Sequence, residues 1–289
     1  MDTRSFGTHD GTFHADELSA CALLLVFDQI DREKITRTRD PEVLETCEYV
    51  CDVGGIYDPE KKRFDHHQLD YTGPLASAGM IWKNLSNRGL VDPDLYSYIN
   101  EMIIIGIDAH DNGKVMQQPG VATFSHVISG FAPISHSASR QEQDEAFFRA
   151  LDFATGHFER MIQRYRYIQA CKEKVAKAME PKGKALIFKE SMPWQDNFFD
   201  LGGEEHPALF VVMPSGDHWK LRGIPPHSQD RMGVRMPLPE SWAGLRYEAL
   251  RNASGIEGAI FCHKGRFISV WETKEDALKA LAAVLEGEG

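Results

Sequence analysis

Short segments with β-strand character alternate with helical segments along the first half of this chain. TRSFGTH (3–9), ITRTRD (35–40) and EYVCDVGG (48–55) predict strands, and apolar residues at helical spacing follow the first of them, from Leu18 to Val26. Strands that alternate with helices imply a mostly parallel sheet with helices on both faces. The expected fold class is therefore α/β, and ligands should collect beyond the carboxyl ends of the strands.

Histidine and aspartate residues cluster where these strands are expected to end. They occur in four motifs: GTHDGTFHADE (7–17), VCDVGG (50–55), RFDHHQ (63–68) and GIDAHDNG (106–113). The candidate ligands are His9, His14, Asp16, Asp52, Asp65, His66, His67, Asp108 and Asp111. The spacing does not choose between the two aspartates of the last motif. Imidazoles and carboxylates together suit divalent cations such as manganese, and such cations activate water, so the pattern predicts metal-assisted hydrolysis.

Each motif taken alone also has a simpler explanation. Asp16 can cap the first helix, and Asp52 can be an ordinary turn aspartate ahead of two glycines. Adjacent histidines on an extended segment point to opposite sides, so one of His66 and His67 can bind metal while the other faces a substrate. Four such motifs in order, each at an expected strand end, nevertheless favour one shared metal site.

Composition and charge limit the compartments and partners to consider. No apolar run reaches the roughly 18–20 residues that span a bilayer, and the N-terminus lacks the regions of a secretory signal. The five cysteines are scattered and odd in number, which argues against a disulfide framework. We therefore expect a cytoplasmic protein without a membrane anchor. The net charge of −11 should repel long duplexes, so small anions or short or single-stranded oligonucleotides are the expected partners.

A long helical pattern separates the first part of the chain from a smaller C-terminal part. Apolar residues recur at helical spacing from about Ser139 to Glu180, and Pro181 and Gly183 end the pattern. Beyond it, ALIFK, ALFVVM, GAIFCH and FISVW predict strands, and a final helix is expected to begin at Thr273. The sequence therefore predicts a first domain over residues 1–180, helical connector included, and a smaller α+β domain over residues 181–289.

The ligand motifs also carry a family resemblance. Asp65-His66-His67, with the ligand loop before it and the aspartates after it, resembles the DHH phosphoesterase superfamily. More closely, the chain is similar to the Myg-type (melanocyte proliferating gene) family of metal-dependent hydrolases and exonucleases. That similarity rests on the motifs GTHDGTFHADE, RTRDPE, CDVGGIYDPE, FDHHQ, SAG, IDAHDNG, VRMPLPESWAGLR and GIEGAIFCHKGRFIS. Because these motifs extend over nearly the whole chain, the resemblance is much more specific than the Asp-His-His triplet alone.

The resemblance implies a dinuclear, manganese-type centre in the cleft of a two-domain protein, with Mg²⁺ or Zn²⁺ as alternative ions. The ligands it implies for the first cation are His9, His14 and Asp52. Those it implies for the second are Asp16, Asp52, His66 and either Asp108 or Asp111, with Asp52 as the bridge. His67 would contact the scissile phosphate, and Asp65 would orient a neighbouring imidazole. Many members of the superfamily have an aspartate where this chain has His14, so its first site is less anionic and the identity of its metal stays open.

The C-terminal domain is expected to present the substrate. Arginine can grip a phosphate with two hydrogen bonds, and the resemblance places a glycine-rich substrate loop near Gly255 and Gly258. The candidate substrate-binding residues are Arg235, Arg246, His263, Lys264 and Arg266. The alternative for each of them is a solvated surface charge.

Together these features predict a metal-dependent phosphodiester hydrolase, an exonuclease or oligonucleotidase acting on short or single-stranded RNA or DNA. Asp52, Asp65 and His67 are its predicted catalytic residues. A phosphomonoesterase or pyrophosphatase on the same scaffold is the first alternative. A non-catalytic module that binds metal or nucleotide is the second, and amide hydrolysis by the same metals is the third. The sequence leaves open the scissile bond, the native metal and the choice between a monomer and a homodimer.

Overall fold

The computed structural model describes residues 2–230 and 233–287 of the chain. The chain forms two compact units, the first ending at Tyr165 and the second beginning at Arg166. This division lies inside one long helix, whereas the sequence places a domain boundary after that helix, near residue 181. The predicted fold class, a mostly parallel α/β sheet followed by a smaller α+β part, is confirmed.

The first unit contains the mostly parallel sheet. Its strands are β1 (Asp2–Thr8), β2 (Ile35–Arg37), β3 (Cys47–Cys51), β4 (Tyr57–Asp58) and β5 (Arg63–Phe64), in the order β2-β1-β3-β5-β4. β1 pairs in parallel with β2 and β3, and β3 pairs in parallel with β5. β4 runs antiparallel to β5. The carboxyl ends of β1, β3 and β5 therefore meet at one edge, which brings together the segments that follow Thr8, Cys51 and Phe64.

Helices follow the strands, including the two that the sequence predicts after β1 and from about Ser139. They are α1 (Ala15–Val26), α2 (Pro41–Thr46), α3 (Ser77–Asn87), α4 (Pro93–Ile99), α5 (Ile105–Asp111), α6 (Phe124–Ser129) and α7 (Arg140–Met179). α4 begins after Asp92, whose Oδ1 accepts a hydrogen bond from the Leu95 N–H at 2.9 Å. A π-helical turn, Asn100–Ile104, joins α4 to α5. Among the helices of the described residues, none combines the length and hydropathy needed to cross a membrane.

Helices cover both faces of this sheet, and the two faces differ in the depth of their core. On one face, Phe6 and Phe64 pack with α1, α3 and the first part of α7 in the large hydrophobic cluster of this unit. On the other, Leu44 of α2 packs with Val50 in a small cluster, and a Cβ on Gly7 would lie 2.9 Å from the Leu44 side chain. Because α1 begins shortly after β1 and packs on the deep face, its first turn lies at the carboxyl edge of the sheet.

The position of Asp108 and Asp111 differs from the prediction. The sequence places GIDAHDNG at the end of a strand, but both aspartates lie in helix α5. The apolar run before them continues the helical spacing of Ile99, Ile103 and Ile107, which are buried. A short apolar run is compatible with a buried strand and with a buried helix, and here the prediction of a strand end is wrong.

The second unit has its own mixed sheet. Its strands are β6 (Ala185–Ile187), β7 (Phe210–Ser215), β8 (His218–Gly223), β9 (Ala259–Cys262) and β10 (Ile268–Trp271), in the order β6-β7-β8-β10-β9. Its helices are α8 (Gln195–Asp200), α9 (Tyr247–Ser254) and α10 (Lys274–Glu286). Thr273 Oγ1 accepts from the Asp276 N–H at 3.1 Å, which confirms the predicted start of the last helix. The sequence patterns did not predict β8.

Candidate metal centre

The loop between β1 and α1 brings ligand-type side chains together with Asp52. His9 directly follows β1 and is buried, and its Nε2 lies 3.3 Å from Oε1 of Glu17 and 3.3 Å from Oδ2 of Asp52. His14 immediately precedes α1, and its ring centroid lies 5.9 Å from that of His9. One ligand atom from each of these four residues lies within 4.8 Å of the other three. That separation is short enough for the four side chains to share one cation.

Asp52 occupies the centre of the predicted ligand set. It follows β3 with a φ of 59°, a left-handed conformation that aspartate adopts more readily than most residues. Its Oδ2 faces His9, whereas its Oδ1 lies 3.4 Å from Nε2 of His66 and 3.4 Å from Nδ1 of His67. Because one oxygen faces His9 and the other faces His66 and His67, the Asp52 carboxylate can bridge two cations.

The Asp65-His66-His67 triplet directly follows β5. Nε2 of His66 lies 3.0 Å from Oδ2 of Asp111. Nδ1 of His67 lies 2.7 Å from Oδ1 of Asp65, which also accepts from the His67 backbone N–H at 3.1 Å. The two imidazole centroids are 4.3 Å apart, so the rings do not point to opposite sides as expected. The triplet has no strand conformation, and strict alternation of side chains holds only within a strand.

Two buried aspartates hold the start of α3 beside these ligands. Asp16 accepts from the backbone N–H groups of Ser77 and Ala78 at 2.8 and 2.7 Å. Asp108 accepts from the N–H of Gly79 at 3.0 Å, and a Cβ on this glycine would lie only 2.1 Å from Asp108 Oδ2. These carboxylates satisfy N–H groups that the first turn of a helix leaves free.

Asp111, rather than Asp108, joins the second group of ligand atoms. One ligand atom each of Asp16, His66 and Asp111 lies within 4.8 Å of the other two. Within residues 2–230 and 233–287, Asp108 belongs to no such group. The geometry therefore groups Asp111, and not Asp108, with the other candidate ligands, while Asp108 holds the start of α3.

Burial and charge act against each other on the pKa values of these groups. Burial disfavours the charged form of His9, but the nearby Asp52 and Glu17 outweigh it and raise the pKa of His9 to about 10. Contacts with Asp111 and Asp52 raise the pKa of His66 to about 10, against the effect of burial. Asp52 is itself buried, yet the neighbouring imidazoles hold its pKa well below the usual range. The cluster therefore favours bound positive charge, whether protons or metal ions.

Three buried polar atoms of the cluster make no contact with hydrogen-bond geometry in the part of the chain that the structure describes, although Nε2 of His66 lies close to the Asp111 and Asp52 carboxylates. They are Oε2 of Glu17, Oδ1 of Asp52 and Nε2 of His66. Because buried polar atoms almost always have partners, three unsatisfied ligand atoms in one place are the pattern expected of a metal site. Their mixture of carboxylate oxygen and imidazole nitrogen suits Mn²⁺ or Zn²⁺. The residues present therefore fit the metal centre that the family resemblance implies.

The cluster lines a cavity of about 910 Å³ whose lining residues all belong to the first unit. His67, with 61% of its side chain exposed, and Arg39 also line this cavity. Arg39 follows β2, its side chain is 65% exposed, and its Nε lies 3.5 Å from Oδ1 of Asp10. A cavity of this volume accommodates a ligand the size of a nucleotide, and Arg39 supplies a cation at its edge.

The sequence patterns did not predict Glu17 and Arg39. Glu17 stands three residues after His14, a spacing that indicates a helix cap, and its Oε1 does accept from the His14 N–H at 2.8 Å. The usable signal was the glutamate in the sequence HADE, directly after Asp16. Arg39 belongs to the RTRDPE motif, which follows a predicted strand and therefore lies at the same sheet edge.

Arg235, a predicted substrate-binding residue, uses its hydrogen-bond donors within the second unit. Its guanidinium donates to the carbonyl oxygens of Gly203, His206 and Ala208 at 2.7, 2.6 and 2.9 Å. Its Nε donates to the carbonyl of Pro225 at 3.2 Å. These bonds join three loop segments, so a structural role accounts for Arg235 without a substrate.

The remaining predicted substrate residues, Arg246, His263, Lys264 and Arg266, lie in or beside β9 and the turn that follows it. Arg246 and Lys264 are exposed, whereas His263 and Arg266 are half-buried. The Arg246 guanidinium lies 5.0 Å from the ring centre of Phe261, and Nδ1 of His263 accepts from the backbone at 2.9 Å. A role in substrate binding stays a prediction for these four.

Comparisons with known proteins agree with the motifs. The model of MYG1_exonuc, described as "Uncharacterised protein family (UPF0160)", matches residues 5–285. A MYG1 protein of Chlamydia trachomatis serovar D is 49% identical over 283 residues, 98% of this chain and 97% of that protein. The MYG1 exonuclease of Homo sapiens is 33% identical over 322 residues, 96% of this chain and 85% of that protein.

A solved structure of RecJ from Thermus thermophilus in complex with Mn²⁺ is similar to the chain with a TM-score of 0.28 and 14% identity. The match covers 98% of this chain, which spans about half, 52%, of that RecJ chain. The family itself is shown by the matches to the MYG1 proteins, which extend over nearly the whole length of both partners. The resemblance inferred from the motifs is confirmed, and the chain belongs to the MYG1 family.

Proposed function

We propose that this chain is a metal-dependent phosphodiester hydrolase, an exonuclease or oligonucleotidase acting on short or single-stranded RNA or DNA. The observation that carries the proposal is that imidazoles and carboxylates converge around the Asp52 carboxylate. Buried ligand atoms of Glu17, Asp52 and His66 there make no hydrogen bond. The name exonuclease, which the Homo sapiens relative carries, supports the same class of reaction.

Two cations have a complete set of ligands under this proposal. The first would be held by His9, His14, Glu17 and Asp52. The second would be held by Asp16, His66 and Asp111, with Asp52 as the shared ligand, since its Oδ1 lies 3.4 Å from Nε2 of His66. Divalent cations in these positions supply Lewis-acid activation of water and neutralise charge on the phosphate. Many DHH proteins have an aspartate where this chain has His14, and the carboxylate of Glu17 supplies a negative charge in its place. The second ligand set, with three carboxylates and one imidazole, is of a type that suits Mn²⁺.

His67 and Arg39 are the residues proposed to contact the substrate phosphate. Because Nδ1 of His67 contacts Asp65, its Nε2 is left to donate to a phosphate oxygen when the ring is protonated. Asp65 is in turn held by the N–H of Gly55, which donates to its Oδ2 at 2.6 Å. The exposed guanidinium of Arg39 can bind a second phosphate oxygen. Together these groups orient the phosphate and stabilise the charge that develops on it during hydrolysis.

A panel of substrates tests the proposed reaction. The full chain with Mn²⁺ is incubated with pyrophosphate, a cyclic dinucleotide, a dinucleotide and single-stranded RNA and DNA, beside Asp52→Ala and the exposed control Asp70→Ala. We expect mononucleotide release from the dinucleotide and the single strands. Asp52→Ala should reduce this turnover by about 100-fold or more while its circular dichroism stays unchanged, because it removes the shared ligand.

The panel also separates the alternatives. Hydrolysis of pyrophosphate alone would replace the phosphodiesterase with a pyrophosphatase. A nucleotide that binds without turnover at full metal occupancy would replace the enzyme with a binding module. Undiminished turnover by metal-replete Asp52→Ala would refute the bridging role of this carboxylate.

A further inference from the structure

The register of the second sheet divides its side chains between two faces. Directly paired residues on neighbouring strands share a face, so Leu221 of β8, Ser269 of β10 and Cys262 of β9 lie together. All three are fully buried, and Leu221 and Cys262 pack with Ala277 and Ala280 of α10. This face packs into one of the two hydrophobic core clusters of the second unit.

The opposite face carries a different set of side chains, here called the cationic sheet face. It consists of Lys220 and Arg222 of β8, Phe261 of β9, and Ile268 and Val270 of β10. All five residues are half-buried. Within the described residues, none of the three apolar ones belongs to a hydrophobic core cluster. On β7 the same face carries Val211 and Met213, which pair with Arg222 and Lys220 and are buried in a second core cluster. Beyond β7, a band of cationic and apolar side chains crosses β8, β10 and β9 outside the core clusters.

The cations of this face are not neutralised by carboxylates. Neither Lys220 nor Arg222 makes a side-chain hydrogen bond or an ion pair in residues 2–230 and 233–287. Burial lowers the pKa of both groups, which means that they have lost part of their hydration. By contrast, Arg251 of the same unit pairs with Glu257 at 3.1 Å. A half-desolvated cation without a partner costs free energy, and an anionic ligand would offset that cost.

The spacing of the face matches a ligand that alternates charge with flat apolar groups. Lys220 and Arg222 are two residues apart, or roughly 6.6 Å along β8, and Phe261 lies two strands from Lys220, at roughly 9.5 Å. Arg246 adds a third cation above the Phe261 ring, at 5.0 Å from its centre. Phosphates beside cations and bases stacked on an aromatic ring are the recurrent mode of binding single-stranded nucleic acid.

We infer that the cationic sheet face binds single-stranded nucleic acid, with phosphates at Lys220 and Arg222 and a base on Phe261. The inference rests on the proposed function, since it assigns a binding surface to the class of substrate proposed there. A duplex hides its bases from Phe261, and the net charge of −11 repels it from the rest of the chain. A second copy of this face would bring like charges together.

Binding of a fluorescein-labelled 12-nucleotide single-stranded DNA, followed by anisotropy in EDTA, tests the inference without cleavage. The proteins are the wild-type chain, Lys220→Gln/Arg222→Gln, Phe261→Leu, and the matched control Arg251→Gln/Lys279→Gln, which removes two cations that pair with carboxylates. The first double variant should weaken binding by about tenfold or more and flatten the salt dependence by about 1.4 in log K against log salt, for two lost phosphate contacts. Phe261→Leu should weaken binding by about fivefold or more, and the control should bind as wild type.

Each other outcome overturns the inference. Unchanged binding by Lys220→Gln/Arg222→Gln removes the assigned surface, even if the chain hydrolyses phosphodiesters. The face would be a general site for polyanions if the wild type bound a 12-base-pair duplex as tightly as the single strand. The same conclusion would follow if it bound polyglutamate as tightly as the single strand and Phe261→Leu had no effect. Failure of the hydrolase proposal is seen separately, because dinucleotide hydrolysis with Mn²⁺ is measured on the same samples.

Discussion

His9 presents one ring nitrogen to two carboxylates, since its Nε2 lies 3.3 Å from Oε1 of Glu17 and 3.3 Å from Oδ2 of Asp52. Its other nitrogen, Nδ1, lies 3.0 Å from the carbonyl oxygen of Asp10. A carbonyl only accepts, so Nδ1 carries a proton and donates it. A neutral His9 would then aim a lone pair at two anionic oxygens, so either a proton on Nε2 or a bound cation must lie between them. The contact with His9 is the reason why Glu17 is proposed as a ligand of the first cation.

Glu17→Gln should weaken binding of the first cation by about tenfold or more, because it removes one negative charge from four ligands. The substitution keeps the length of the side chain and the amide oxygen that can still accept from the His14 N–H. Isothermal titration with Mn²⁺ measures both stoichiometry and affinity, and circular dichroism reports folding.

Glu33→Gln, at an exposed glutamate of the same unit, is the matched control and should bind Mn²⁺ as wild type does. If Glu17→Gln bound two Mn²⁺ ions with wild-type affinity, Glu17 would be only a helix cap.

Substitution of Asp108 should lower stability, whereas substitution of Asp111 should reduce metal binding. Asp108→Ala leaves a buried N–H group of α3 without its acceptor and should lower the free energy of unfolding by about 1–3 kcal/mol. Its Mn²⁺ stoichiometry should stay at two below the unfolding temperature. Asp111→Ala removes the carboxylate that lies 3.0 Å from His66, so one cation should be lost with a smaller change in stability. Denaturant unfolding without metal and Mn²⁺ titration separate the two effects.

The reverse pattern would assign the second cation to Asp108. Asp94→Ala, at an exposed aspartate of the neighbouring helix α4, should leave both measurements unchanged.

Most of the metal centre could be predicted because its ligands follow three parallel strands. The carboxyl ends of parallel strands lie at one sheet edge whatever the conformation of the connecting loops. His9, Asp52 and His66 therefore converge as expected. The part that failed depends on helices. Asp111 reaches the site from α5, whose apolar run does not differ in sequence from a buried strand. Glu17 was not predicted, since its spacing from His14 does not differ from that of an ordinary helix cap.

Substrate-binding residues were harder to predict because a cation's role depends on what surrounds it. Arg235 donates to carbonyls from distant loops, which no local pattern reveals. Lys220 and Arg222 lie on β8, a strand that the sequence patterns did not predict, and their common face follows only from the register with β10. Charge pattern alone does not separate a guanidinium that joins loops from one that is free for a ligand.

Arg39→Gln should raise KM for a single-stranded oligonucleotide by about tenfold, the effect of losing one charged hydrogen bond to phosphate. The turnover number should change less, because Arg39 belongs to none of the ligand groups around the cations. Folding should be unaffected, since the side chain is 65% exposed and its nearest carboxylate, Asp10, is 3.5 Å away. Arg39→Lys should recover part of the affinity, because lysine keeps the charge but not the two-pronged geometry. Arg32→Gln, which removes a cation paired with Asp152 outside the cavity, is the control. A KM for Arg39→Gln equal to that of Arg32→Gln would show that Arg39 does not bind the substrate and that the phosphate is held by His67 and the cations alone.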